Sequence, residues 1–292
     1  MAPVEAMSPS VQPSPGNPRG TTLKYSDADV DQVYQTPTDF NLAEAVADLT
    51  TGCGYTILKN VFSPKDIEMA KERILQRLNI DMDDYTSGDK DRDFGHNNFS
   101  GMDFNLFQTG MIFAKFVAHP DLMAVSKAVC GNRYRLSSHC SNTVPPGCGG
   151  QKPHLDYPYY REMWPESMDA FQLDPHHVLS MVQVICCTDF TEESGATAMV
   201  PYSQLKGQFP DNEEEFMKNC KRLVAKAGDV AIISGRLQHC AMPNTTTDKF
   251  RVGIIQQSTP LYVNAFQDMT AQARDWHPQV IKDLIVLEPP KW

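Results

Sequence analysis

Positive charge is scarce in this 292-residue chain: 26 Lys and Arg stand against 36 Asp and Glu, a formal charge of −10. That balance excludes a protein that grips nucleic-acid phosphates and one that docks on an anionic membrane through a polybasic patch. Long apolar runs are lacking too, none approaching the ~18 residues a membrane-spanning helix needs. The first residues show neither an apolar leader core nor an Arg-rich amphipathic pattern, and the last three, Pro-Lys-Trp, form no retention or peroxisomal signal, so a cytoplasmic location is expected. Cysteine is sparse, 8 in 292, and no two stand as Cys-x-x-Cys, which removes the basic sign of a zinc ribbon, a thioredoxin motif or a disulfide framework. Reduced, buried thiols are the expectation. What the chain does have is 41% hydrophobic residues, enough for a sizeable core.

Five prolines (Pro3, Pro9, Pro13, Pro15, Pro18) among small polar residues mark 1–22 as a disordered tail, and 23–292 reads as one domain. Helical spacing follows Asp39 through Leu49, Gly52 and Gly54 break it, and Tyr55–Leu58 reads as a strand. Ser63 with Pro64 opens a helix that should run to about Leu78. Residues 81–101 are Asp- and Gly-rich, a solvated loop or a lid. His119-Pro120-Asp121 opens a further helix, to about Val129, with Asp121 expected in a capping role. Beyond 132 come short β-rich runs: 133–138, 178–188, 196–200, 222–226, 229–234 and 250–258. Helices first and strands after predict a mainly β domain, an antiparallel sandwich or barrel with helices on one side.

Chemistry concentrates at Gln151-Lys152-Pro153-His154-Leu155-Asp156. In extended chain, residues i and i+2 point the same way, so His154 and Asp156 can chelate one ion. The motif alone is weak, since His119–Asp121 matches it as well. His239, just past a glycine-initiated strand, supplies a third ligand, and two His with one carboxylate are the facial triad of non-haem Fe(II) oxygenases, with positions open for a 2-oxo acid and O2. Twelve residues on, Arg251 would sit on the inner face of a strand with Gly253 beside it, paired there either with an acidic neighbour or with a carboxylate ligand. Cys240 is read as packing, and His176-His177 as structural. Tyr157-Pro158-Tyr159 and the aromatic, Met-rich run to Met168 leave the metal directly, placed to wall a substrate pocket or merely to cover the core. A metal-binding sensor without turnover and a zinc hydrolase are the competing classes. A hydrolase would have no use for Arg251 or Gln151, and a sensor would form no succinate.

These pieces, with Gly54–Pro64, Asp189–Thr197, Val200–Ser203, Gly228-Asp229, Pro243-Asn244 and Gln257–Pro260, resemble in their order the phytanoyl-CoA dioxygenase-like members of the Fe(II)/2-oxoglutarate-dependent oxygenases. The resemblance covers roughly residues 52–270. It implies a double-stranded β-helix (jelly roll) with flanking N-terminal helices, Fe(II), 2-oxoglutarate and O2 as cofactor and cosubstrates, and a small-molecule substrate to be hydroxylated, desaturated or cyclised. It further implies His154, Asp156 and His239 as iron ligands, Arg251 on the distal carboxylate of 2-oxoglutarate, Gln151 near its metal end, and Thr197 in the same pocket. Tyr157 and Tyr159 are the candidate substrate contacts. Asp156 stands where halogenating relatives have Gly or Ala, which argues against halogenation. Two departures stand out: Pro201-Tyr202-Ser203-Gln204 replaces the usual Pro-Gly-Ser-His, and Gly253 replaces a small or hydroxyl-bearing residue after the arginine.

Overall fold

The computed structural model describes residues 23–30, 35, 38–78, 101–148, 150–157 and 177–285. In chain order its elements are α1 (Leu42–Thr50), β1 (Tyr55–Leu58), α2 (Pro64–Arg77), α3 (Met111–Val117), α4 (Pro120–Cys130), β2 (Tyr134–Val144), β3 (Met181–Cys186) and β4 (Ala198–Met199). Then follow α5 (Glu213–Asn219), β5 (Lys221–Arg222), β6 (Val230–Ser234), β7 (His239–Cys240), β8 (Arg251–Pro260) and α6 (Gln279–Ile285). Two wholly antiparallel sheets result, one ordered β1-β6-β3-β8-β2 and a smaller one ordered β5-β4-β7. A single bridge from His154 to His239 extends the smaller sheet. After β2 the chain passes repeatedly from one sheet to the other, as a sandwich requires.

Strand alternation divides the large sheet into two faces. Val230, Ile232, Met181, Ile185, Val252 and Ile254 pack beneath the helices, together with Leu49, Ile74, Phe113 and Leu122. Ala231, Ile233 and Cys186 face the small sheet and meet Met199 and Leu223 there. The expected mainly β, antiparallel layout is thus present, but not all helices lie on one side: Phe216 of α5 packs with Ala198 and Val200 at the small sheet. In β2 the register skips at Ser137, between Leu136↔Ser258 and Ser138↔Gln257. One extra residue reverses the parity of everything after it. Tyr134 and Leu136 therefore face the helices, while Ser138, Cys140 and Asn142 face the space between the sheets.

Local signals place most ends. Ser63 Oγ accepts from Asp66 N–H at 3.2 Å, with Pro64 at the first helical position. The first helix starts later than expected, because Asn41 rather than Asp39 caps it by accepting from Glu44 N–H at 3.1 Å. Asp121 does not cap α4: its carboxylate accepts from the backbone and hydroxyl of Thr38, tying an upstream segment to the helix. The expected strand at 222–226 is only two residues long, and β7 and α5 were not foreseen. The Pro-rich tail, residues 81–100 of the Asp-rich stretch, His176 and the aromatic run after Tyr157 lie outside the described residues. No helix among the described residues is long and apolar enough to cross a membrane.

Candidate active site

His154 and His239 face each other across one antiparallel bridge, each accepting the other's backbone N–H, at 2.9 and 3.0 Å. Their rings lie 4.5 Å apart between centroids. Leu155 between them is buried, and Asp156 joins the two rings, with its Oδ2 3.4 Å from His239 Nε2. One ligand atom from each of the three residues falls within 4.8 Å of the others, the one such group of His, Cys, Asp or Glu among the described residues.

Both imidazoles are aimed by backbone. His154 Nδ1 lies 2.8 Å from Lys152 O, and His239 Nδ1 lies 2.9 Å from Leu237 O. A carbonyl can only accept, so Nδ1 donates in each ring and Nε2 is the nitrogen left to face a metal. Burial, with the neighbouring His239, holds His154 below the ordinary imidazole pKa and so keeps it neutral. Two imidazoles and one carboxylate suit a divalent ion and leave coordination positions open, so the donor set fits Fe(II). Cys240, one residue away, points to the other side of the strand, packs with Ala198, Val200 and Phe216, and has its thiol pushed up to about 12 by burial. It is a packing residue, as expected.

The triad lines a cavity of about 290 Å³ between the sheets, shared with Arg251, Gln151, Thr197 and Asn142. Arg251 is 3% exposed, yet no carboxylate pairs with it among the described residues. Its guanidinium donates to Gly195 O and to Asn142 Oδ1 (3.1 Å) and rests 5.1 Å above the Phe190 ring, while Nε finds no partner among the described residues. Burial lowers its pKa to about 10. A buried cation held only by neutral acceptors is set for an anionic ligand. Gly253 lines the same cavity, and a methyl there would meet Phe190 at 3.0 Å, so the glycine also leaves room for the ring beneath the arginine. Gln151 accepts from Ala241 N–H through its side-chain oxygen at 3.2 Å, leaving its amide nitrogen for a ligand. Tyr157 is not among the cavity-lining residues; its N–H donates to Gly235 O at 2.9 Å. Tyr159 lies outside the described residues. His177 meets the Tyr262 hydroxyl at 2.6 Å, away from the triad.

Met102, Phe104, Phe266 and Asn142 also line the cavity and were not foreseen. Asn142 was readable only by following β2 past Ser138, where polar residues hid the strand. The other three stand in stretches without strand or helix periodicity.

Residues 52–253 match the family model described as phytanoyl-CoA dioxygenase (PhyH). The chain belongs to the phytanoyl-CoA dioxygenase family. All three triad residues and Arg251 lie inside the matched span. Curated relatives include the multifunctional dioxygenase prhA of Penicillium brasilianum, 31% identical over 136 residues that make up 43% of this chain and 42% of that protein. Dioxygenase ALT11 of Alternaria alternata is 25% identical over 66% of this chain and 64% of its own length. The matches thus span less than two thirds of these relatives. Among solved structures, HygX of Streptomyces hygroscopicus, with nickel, 2-oxoglutarate and hygromycin B bound, has a TM-score of 0.55 at 18% identity over 77% of this chain and 89% of that one. The α-ketoglutarate-dependent carbocyclase SnoK from nogalamycin biosynthesis has a TM-score of 0.56 at 17% identity over 84% and 96%. At such identities the family member shares their fold, and no more is carried over.

Proposed function

We propose that the protein is an Fe(II)- and 2-oxoglutarate-dependent oxygenase that hydroxylates a small molecule, acting as one domain over 23–292 built on a double-stranded β-helix that the N-terminal helices brace. The observation that carries this reading is one cavity holding a His/Asp/His donor set and a buried arginine without a carboxylate. His154, Asp156 and His239 hold the metal. Bound Fe(II) supplies the redox chemistry by which O2 oxidises a substrate C–H bond as 2-oxoglutarate is decarboxylated to succinate and CO2. Arg251 takes the distal carboxylate of 2-oxoglutarate in a two-pronged hydrogen bond, Gln151 and Thr197 contact the cosubstrate nearer the metal, and Tyr159 is the remaining sequence candidate for a substrate contact, since Tyr157 does not line the cavity. The apolar wall keeps water from the reacting end of the cavity. Desaturation and ring closure begin from the same hydrogen abstraction, and the product decides among the three.

The test is anaerobic metal uptake followed by 2-oxoglutarate turnover. About one Fe(II) should bind per chain, and succinate should form only with Fe(II), 2-oxoglutarate and O2 together. His154→Ala and His239→Ala should each abolish uptake or turnover. Full turnover in both variants sinks the assignment.

A further inference from the structure

The cavity has a second wall, built by two segments stitched to β2. Residues 101–104 run along the outer edge of that strand. Gly101 and Thr143 exchange backbone hydrogen bonds of 2.7 and 2.8 Å, and Ser141 N–H donates to Asp103 O at 3.0 Å. Alternation sends Met102 and Phe104 to the cavity and Asp103 away from it, where Arg77 grips the buried carboxylate at 2.6 and 3.2 Å. The second segment is fastened at the bulge in β2. Phe266 N–H donates to Ser137 Oγ at 2.7 Å, Gln267 N–H donates to Ser137 O at 3.0 Å, and Ser138 Oγ donates to Gln267 Oε1 at 2.7 Å. Gln272 Nε2 then donates to Phe104 O at 2.8 Å, joining one segment to the other. Phe266 lines the cavity and is still 54% exposed, which sets it at the rim. An exposed aromatic ring held in place by three hydrogen bonds at the foot of its segment has a surface to offer a ligand.

Charge narrows what that ligand is. Among the described lining residues, Arg251 is the sole Lys or Arg and Asp156 the sole carboxylate. Under the oxygenase reading, on which this inference rests, the cosubstrate neutralises the first and the metal the second. A charged group entering the remaining space would give up its hydration for no opposite charge among the described residues, a steep cost. We propose that Met102, Phe104 and Phe266 select the substrate, and that the substrate is an uncharged molecule laying an apolar face against them.

The test uses protein loaded with Ni(II) and 2-oxoglutarate, whose uptake is measured by equilibrium dialysis. Two fluorescent probes with one aromatic skeleton are then titrated in: neutral N-phenyl-1-naphthylamine and its anionic sulfonate, 1-anilinonaphthalene-8-sulfonate. The neutral probe should bind on the order of tenfold tighter, and Phe266→Ala and Phe104→Ala should each weaken it by a similar factor. Phe266→Leu should retain most of the affinity. Tyr262→Ala, at a still more exposed aromatic of the same segment that does not line the cavity, should leave it unchanged. Equal binding of the sulfonate, or a neutral-probe affinity indifferent to Phe266→Ala and Phe104→Ala, overturns the proposal. Lack of 2-oxoglutarate uptake with the probe pattern intact overturns the oxygenase reading instead, and leaves the apolar wall standing as a selective binding surface.

Discussion

Arg251 is buried with a full set of donors and only neutral acceptors around it: a backbone carbonyl, an amide oxygen and an aromatic face. Lysine would keep the charge and lose the planar fork, so Arg251→Lys should weaken 2-oxoglutarate by about 1.5–3 kcal/mol, ten- to a hundredfold or somewhat more. Titration of the metal-loaded variant measures this directly, and metal uptake should be unaltered. An unchanged 2-oxoglutarate affinity would move the carboxylate site elsewhere. The residue types and their spacing carried much of this site: His154, Asp156, His239 and Arg251 are chemically costly choices inside a sheet, and a costly residue at a regular position is readable. Gln151 and Thr197 meet them in one cavity. The neutral groups that hold the arginine were not legible, since an asparagine or a carbonyl becomes a partner only when distant segments are folded together.

At the scale of elements, the turn before β4 does two jobs. Gly195 takes a φ of +83°, and a methyl on it would run into the carbonyl of Met242. The same residue presents its own carbonyl to Arg251. Gly195→Ala should therefore lower stability by on the order of 1–3 kcal/mol and also weaken 2-oxoglutarate, with metal uptake retained. Denaturant unfolding and a cosubstrate titration check the two halves separately, and a variant with wild-type values in both would show that the turn relaxes freely. Strong local signals located their elements well: Ser63-Pro64 for α2 and the apolar alternation of β6 and β8. Where packing overrode local preference the reading fell short. The polar half of β2, His139 to Thr143, looks nothing like a strand, yet it is buried between β8 and the segments beside it. Tyr202 adopts a φ of +66°, a left-handed conformation that favours glycine. Its hydrogen bond to Cys53 O, at 3.0 Å, belongs to a contact no local rule anticipates.

Across the whole molecule, the face between sheet and helices conceals histidines that stay neutral. His139 is fully buried beside Phe107 and Phe113, with neither ring nitrogen hydrogen-bonded among the described residues. Burial, aided by His277, drives its pKa from the usual 6.5 down to about 3. His119 and His277 are lowered as well, chiefly by burial. For each, the unfolded chain binds the proton more readily, so their contribution is complete above the ordinary histidine pKa and is lost as pH falls below it. For His139 that loss is about 1.4 kcal/mol per pH unit until the folded pKa is reached. The unfolding free energy of wild type should fall between pH 7 and pH 5, and His139→Phe should flatten that decline. A parallel decline in both proteins would assign it to other groups.

The two ligand histidines have a further consequence. Each ring is oriented by the carbonyl two residues before it, Lys152 O for one and Leu237 O for the other. Orientation is therefore written within a tripeptide, and the rest of the barrel need only bring two tripeptides side by side. Such a site is portable. Its surroundings can be rebuilt loop by loop to admit a different molecule while the imidazoles continue to point at the same spot.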